Sequence, residues 1–342
     1  MTKIYIYGVN WIGDAIISLS ALEGIRQKFP EIPIIVLSPP RTSQIYELSP
    51  AATSVITFGD GKPLKTPRGS SSVVLCFPLS FRSAWNLWRS GFKNRVGFAS
   101  EGRSLLLNRI LDYKKWKNKH LHQSTYYREL AEAVLGPIPV EPARLRIPPD
   151  LLNKGQQFLL NNHFRDHFCI AINPGAYFGS AKMWPIRFYK TLIGKILEEF
   201  PNTAIILFSG EKDRHVTREI SEAIRSPKLV STDGSIPLNE SIAILSQCHY
   251  LVSNDSGMMH IGAALKMKGV ALFGPTDSFA TGPMSKEICV LSHQVSCSPC
   301  FLRECPIDHR CMEFLTPEKV FLKIKDDMME QKRFVGFRER FL

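Results

Sequence analysis

An apolar segment, Phe168-Cys-Ile-Ala-Ile, runs directly into Asn173-Pro-Gly-Ala-Tyr-Phe-Gly-Ser-Ala-Lys-Met-Trp-Pro185 and from there into a helical pattern. A short strand that turns through glycine into a helix is the unit from which open parallel sheets are wound, so this stretch constrains the fold strongly. The succession recurs. Lys3-Ile-Tyr-Ile-Tyr-Gly8 leads through Val-Asn-Trp-Ile-Gly13-Asp14 into a helical run from Ala15 to Phe29. His249-Tyr-Leu-Val-Ser leads through Asn254-Asp-Ser-Gly-Met-Met-His260 into Ile261-Gly-Ala-Ala-Leu, and the strand Gly269-Val-Ala-Leu-Phe follows with Gly274-Pro-Thr. Strands are expected near 3–8, 33–38, 53–58 and 72–77 in the first half, and near 168–173, 203–208, 249–253, 269–273 and 287–291 in the second. Their alternation with amphipathic helices predicts two α/β units, for which 342 residues suffice. Pro137 to Pro149 carries five prolines and reads as an extended connector.

The turns differ in chemistry. In 173–185, Gly175 lets backbone N–H groups approach a ligand, Lys182 supplies one cation, and a helix is expected to start at Pro185, where the missing N–H costs nothing. That helix end carries partial positive charge and suits the phosphates of a nucleotide. In 254–260, Asp255 or Ser256 is a natural N-cap, Gly257 allows close approach, and His260 lies one turn on from Ser256. Glu211, past the strand Ala204 to Phe208, is placed to hold ribose hydroxyls or is a surface loop charge. The first turn is the opposite case. Asp14 stands where a P-loop would have lysine, and G-x-G-x-x-G is absent, so this loop repels phosphate. It either presents a carboxylate to a cleft or only complements the positive helix end, worth about 0.3–1 kcal/mol.

Formal charge is +12, from 43 Lys plus Arg against 31 Asp plus Glu, which calls for an acidic partner. The basic residues crowd between 82 and 128: Arg82, Arg89, Lys93, Arg95, Arg103, Arg109, Lys114, Lys115, Lys117, Lys119 and Arg128, interleaved with Trp85, Trp88, Phe92 and Trp116. This mixture suits an anionic bilayer surface, or else is a solvated basic face over core tryptophans; no nucleic-acid module is recognisable. No apolar run approaches the ~20 residues of a membrane span and the chain begins with a strand, so a cytoplasmic protein is expected. Of eight cysteines, Cys76, Cys169, Cys248 and Cys289 sit in or beside strand runs as core thiols. The others form Cys297-x2-Cys300-x4-Cys305-x5-Cys311, with His309 inside. In a reducing compartment that cluster points to structural zinc, with free thiols and disulfides as the other readings.

Trp11-Ile-Gly-Asp14, Asn173-Pro-Gly-Ala with Ala181-Lys-Met-Trp-Pro185, and Asn254-Asp-Ser-Gly-Met-Met-His260 with Phe273-Gly-Pro-Thr together resemble glycosyltransferase family 9, in particular its heptosyltransferase members. The resemblance spans nearly the whole chain and implies a GT-B architecture, two Rossmann-like domains facing across a central cleft. Residues 1–150 would bind the acceptor and 151–325 the nucleotide sugar, with 326–342 a helix crossing back to the first domain. It implies inverting transfer of heptose from ADP-heptose to a phosphorylated lipopolysaccharide-core acceptor, at the cytoplasmic face of the inner membrane. Asp14 would be the base; Gly175, Lys182, Glu211, Asp255, Ser256, Gly257 and His260 would hold the donor, and Arg82, Arg89, Lys93 and Arg95 the acceptor. No Asp-x-Asp motif occupies a plausible site, so no obligatory catalytic metal is expected. The competing expectations are a family member using another sugar nucleotide or acceptor, and a non-catalytic nucleotide- or lipid-binding relative.

Overall fold

The computed structural model describes residues 2–59 and 72–338, those from 331 onward by backbone alone. The chain divides into two units, Met1–Pro148 with Phe279–Met284, and Pro149–Ser278 with Ser285–Leu342. Each is a parallel sheet flanked by helices. The first contains β1 (Ile4–Tyr7), β2 (Ile34–Ser38), β3 (Ser54–Thr57), β4 (Val73–Cys76), β5 (Asn94–Phe98) and β6 (Arg109–Leu111), ordered β3-β2-β1-β4-β5-β6. The second contains β7 (Phe168–Asn173), β8 (Thr203–Leu207), β9 (Leu229–Ser231), β10 (Tyr250–Asn254), β11 (Lys268–Phe273) and β12 (Ile288–Ser292), ordered β12-β11-β10-β7-β8-β9. Counted within its own unit, each sheet has the doubly wound order 3-2-1-4-5-6.

That order fixes where a ligand belongs. In such sheets the crevice opens beyond the carboxyl ends of the two strands between which the winding reverses. In the first unit these are β1 and β4, paired from Ile4↔Val73 to Tyr7↔Cys76. In the second they are β7 and β10, paired from Tyr250↔Ile170 to Ser253↔Asn173. The strands of both pairs are apolar because helices cover both sheet faces. Tyr5, Tyr7, Val74 and Cys76 pack with Leu87 and Phe92 in the first unit. Ile170, Ile172, Val252 and Val270 pack with Trp184, Tyr189 and Leu192 in the second.

All nine expected strands are present within a residue or so of their expected bounds, and three more appear. β5 reads Asn-Arg-Val-Gly-Phe and was hidden in the basic run; β6 and β9 are three-residue edge strands. The helix after the 173–185 turn spans Ile186–Glu199, so Pro185 is its N-cap rather than its first residue. The terminal helix, Pro317–Arg338, is tied to the second unit by Lys325–Glu199 at 2.7 Å and by Tyr250 Oη donating to Asp327 Oδ2 at 2.6 Å. The expected return of 326–342 to the first unit rests mainly on residues 331–342, whose side chains lie outside the described residues. Among the described residues no helix is long and apolar enough to cross a membrane.

Candidate active site at the two switch points

At the first switch point, β1 ends at Tyr7 and the helix Ile12–Lys28 begins with Trp11 at its N-cap. No side chain caps it; Asp14, in its first turn, supplies the negative charge that this helix end favours. The carboxylate is half-buried and held from the opposite side by Gln123, whose Nε2 donates to Asp14 Oδ1 at 3.1 Å and to Tyr127 Oη at 3.3 Å. Gln123 immediately precedes the helix Ser124–Leu135. Burial, and then the Asp14 charge, push the Tyr127 hydroxyl well above its ordinary range. Burial likewise raises Tyr46, to about 12, with Asp14 as a smaller cause. Both phenols therefore stay protonated, and Asp14 is the ionisable acceptor among neutral hydroxyls. Such a carboxylate is suited to taking a proton from a hydroxyl.

The other strand of this pair, β4, leads into the helix Phe81–Arg89, whose Ser80 cap accepts from Ser83 N at 3.3 Å. Arg82 thus belongs to the same switch point as Asp14. Phe81, Trp85 and Trp88 expose 44, 41 and 49% of their surface, and their rings follow one another at 6.4 and 5.0 Å, forming an apolar stripe. Arg82, Arg89 and Lys93 are exposed beside it. The rest of the basic run divides: Arg109, Lys114, Lys115, Lys117 and Lys119 are exposed, whereas Arg95 and Arg103 turn inward. Arg95 is half-buried and bonds the carbonyls of Leu106 and Phe92, which removes much of its guanidinium from acceptor binding. Arg103 is fully buried and bonds Phe98 O and Pro78 O. Phe92 is core, and Trp116 stands 5.3 Å from buried Tyr126.

At the second switch point the same loop positions carry an opposite arrangement. Lys182 lies in a short turn, Ser180–Lys182, and its Nζ meets buried Asp255 Oδ2 at 2.5 Å. Thr276 Oγ1 donates to the same carboxylate oxygen at 2.6 Å. Asp255 is therefore a partner that orients the lysine, not an open cap. Ser256 is the N-cap of the helix Gly257–Ala264, yet its hydroxyl makes no capping bond; it meets Asn173 Nδ2 at 2.9 Å and Ser253 Oγ at 3.1 Å. No side-chain cap occupies the first turn of that helix, and amides at such an end suit an anion. His260 is buried within the helix. Gly175 has no room for a side chain: a Cβ there would stand 2.4 Å from Asp213 Oδ2. Asp213 and exposed Glu211 share the short turn Glu211–Asp213 after β8. Burial raises the Asp213 carboxyl, with His215 and Lys212 opposing.

Asn254 holds this arrangement together. Its Nδ2 donates to Pro174 O at 2.7 Å, while its Oδ1 accepts from Trp184 N at 3.2 Å and Tyr189 Oη at 2.8 Å. One buried amide thereby pins the 173–185 loop at both ends. Asn173, Asn254 and Thr276 lay within the sequence motifs, but their roles as connectors were not read; Gln123 lay outside every motif. The only available signal was a polar residue at the end of an apolar strand, where an unpaired amide would be costly.

The expected metal site at Cys297, Cys300, Cys305 and Cys311 is not borne out by their placement. Among the described residues no three His, Cys, Asp or Glu side chains are arranged to hold a metal ion. Cys311 is buried beside Gly274, whereas Cys297 and Cys300 face solvent. The thiols are near enough that Cys297, Cys305 and Cys300 add to the burial that raises Cys311 to about 11. His309 turns its Nε2 to Ala181 O at 2.8 Å.

Comparison with known proteins agrees with this geometry. The family model for glycosyltransferase family 9 (heptosyltransferase) matches residues 68–310. The chain is 31% identical to lipooligosaccharide heptosyltransferase 2 of Haemophilus ducreyi, over 84% of this chain and 88% of that protein. It is 29% identical to lipopolysaccharide heptosyltransferase 2 of Escherichia coli K12, over 84% and 87%. The solved E. coli ADP-heptose LPS heptosyltransferase II superposes with a TM-score of 0.80 at 25% identity, over 96% of this chain and 99% of that one.

Proposed function

The chain belongs to glycosyltransferase family 9, and from that premise we propose that it transfers heptose from ADP-heptose to the inner core of lipopolysaccharide, a heptosyl-Kdo-lipid A type acceptor. The observation that carries this reading is the division of charge between the two switch points. The first offers Asp14, a carboxylate held by Gln123 among protonated tyrosines. The second offers Lys182 and the open helix end at Gly257.

In the proposed single displacement, Asp14 accepts the proton of the acceptor hydroxyl as its oxygen attacks the anomeric carbon. The bond to the diphosphate breaks with inversion, and ADP leaves with the electron pair. Lys182, the amides at the start of Gly257–Ala264 and the Ser256 hydroxyl stabilise the departing charge, which is the larger electrostatic task of the step. Gly175 keeps the loop backbone close to the diphosphate, and Glu211 is assigned to the ribose hydroxyls. Asp255 and His260 act beneath, Asp255 by orienting Lys182. Neutralisation of the leaving group by these residues requires no metal.

Arg82, Arg89 and Lys93 are assigned to the anionic groups of the acceptor, with Arg95 bracing the start of β5 beside Lys93. The stripe Phe81, Trp85 and Trp88 meets the anionic cytoplasmic leaflet in which the acceptor lipid is anchored. The deciding experiment offers a panel of sugar nucleotides with a heptosyl-Kdo-lipid A acceptor and follows product by mass spectrometry. A heptose added only from ADP-heptose, with ADP released, is expected. Transfer from another nucleotide sugar would reassign the donor within the family. No transfer from any of them, under conditions where a related heptosyltransferase is active, would favour a binding protein.

A further inference from the structure

Lys182 and Asp255 form a buried pair whose net charge is close to zero. A leaving diphosphate carries more than one negative charge, so a site that ended with this pair and a helix end would be short of cations. The cysteine-rich segment supplies one. Arg303 is exposed, and its guanidinium stands 5.2 Å from the centroid of Phe178; Lys182 Nζ stands 4.9 Å from the centroid of the same ring. Among the described residues Arg303 makes no ion pair. Lys212, in the turn Glu211–Asp213 after β8, donates to Tyr177 Oη at 3.2 Å and lies in sequence between Glu211 and Asp213.

The segment is fastened to the donor loop through its backbone. Arg303 O accepts from Ala181 N at 2.9 Å, and a Cβ on Gly179 would fall 2.2 Å from that same oxygen, so the two segments touch where only glycine fits. His309 Nε2 bonds Ala181 O at 2.8 Å. Pro275 O accepts from Cys300 N and Phe301 N at 3.0 and 2.8 Å, one residue before the Thr276 that bonds Asp255. One segment thus straps the loop that carries Lys182 and the loop after β11 whose Thr276 bonds Asp255. It fixes the Arg303 backbone beside Lys182 and leaves the guanidinium, with its planar fork of donors, to a phosphate.

We infer that Arg303 is a second cation for the diphosphate of the nucleotide donor, delivered to the site by the strap that residues 297–311 form over the Gly179–Lys182 turn. The inference rests on the nucleoside-diphosphate donor proposed above. Because the strap is held by the Arg303 carbonyl, replacing the side chain leaves it fastened, and binding is tested without dismantling the loop. The experiment is calorimetric titration of the parent, Arg303→Ala and Arg303→Lys with ADP and with adenosine. Arg303→Ala is expected to weaken ADP by about 10-fold, as for loss of a charge-assisted hydrogen bond, with partial recovery in Arg303→Lys. Adenosine affinity and the thermal midpoint are expected to stay at parental values. A parent that binds ADP and an Arg303→Ala variant that binds it equally well would overturn the assignment of Arg303 alone. Equal losses for ADP and adenosine would also overturn it, since the residue would then shape the loop without meeting phosphate. A parent without affinity for ADP would overturn the donor reading and this inference with it.

Discussion

The mouth between β1 and β4 and the mouth between β7 and β10 share one strand order and one loop-to-helix geometry, but use their carboxylates differently. In the first, the protein places its own carboxylate, Asp14, in the first turn of the helix and steadies it with Gln123. In the second, the nearby carboxylate, Asp255, is spent on Lys182 and Thr276, and no side chain caps the helix Gly257–Ala264. A helix N-terminus attracts negative charge in either case. On the proposed function, the protein fills that demand itself where a base is required and leaves it to the ligand where phosphate is bound. Topology decides where chemistry happens, and a few residues in the turn decide its sign.

The contrast breaks most sharply at Asp14. Replacing it with asparagine keeps the shape and the Gln123 contact region but removes the proton acceptor, so turnover is expected to fall by about 10²–10⁴-fold. Turnover within the parental range would leave Asp14 as a helix-end charge and nothing more.

The next largest effect is expected at Lys182. Lys182→Ala removes a charge-assisted contact worth about 1.5–3 kcal/mol, or roughly 10- to 100-fold in ADP affinity. It also strands Asp255 as a buried anion, which by itself destabilises. The double variant Lys182→Ala with Asp255→Asn separates the two effects: it should recover thermal stability and not ADP affinity. Recovery of both would mean that the lysine serves the fold alone.

A smaller effect sharpens the assignment of the first unit to the acceptor. Reversal of Arg89 and Lys93 to Glu should weaken binding to anionic vesicles, by about 1 kcal/mol for each basic residue near such a surface, and should raise the acceptor KM. ADP affinity should not change. Vesicle binding and acceptor KM equal to the parent would reduce these residues to a solvated face.

The smallest expected effect concerns the cysteine segment. With Cys311 turned inward and Cys297 and Cys300 facing solvent, Cys300→Ser should leave ADP affinity unchanged. Metal analysis of protein prepared without chelators gives the complementary result: about one zinc per chain, lost in Cys300→Ser, would show that the thiols converge around an ion after all.

Much of this was legible in the chain because the central strands are apolar on both faces and end in glycine-bearing turns. Both switch-point motifs stood out for that reason, and Asp14, Lys182 and Gly257 lie where the turns put them. The failures share a cause in tertiary pairing. β5 was obscured because Arg95 interrupts its apolar pattern, and Arg95 tolerates its place by bonding the nearby Phe92 carbonyl and the Leu106 carbonyl that the fold brings to it. Arg103 counted toward a basic surface in the sequence but is buried among the ends of β4 and β5. Asp255 read as a helix cap because nothing in its own turn announces a lysine from the loop after β7. The role of Asn254 was hidden likewise, since its partners Pro174, Trp184 and Tyr189 belong to another stretch of chain.

The central claim is that the two mouths divide the reaction, proton acceptance in the first unit and diphosphate binding in the second. Calorimetric titration of ADP into the parent, Asp14→Asn and Lys182→Ala, each also assayed for heptose transfer, tests it most directly. The account predicts that Asp14→Asn binds ADP as the parent does while losing transfer, and that Lys182→Ala loses ADP affinity. Loss of ADP affinity in Asp14→Asn, with affinity kept in Lys182→Ala, would contradict it.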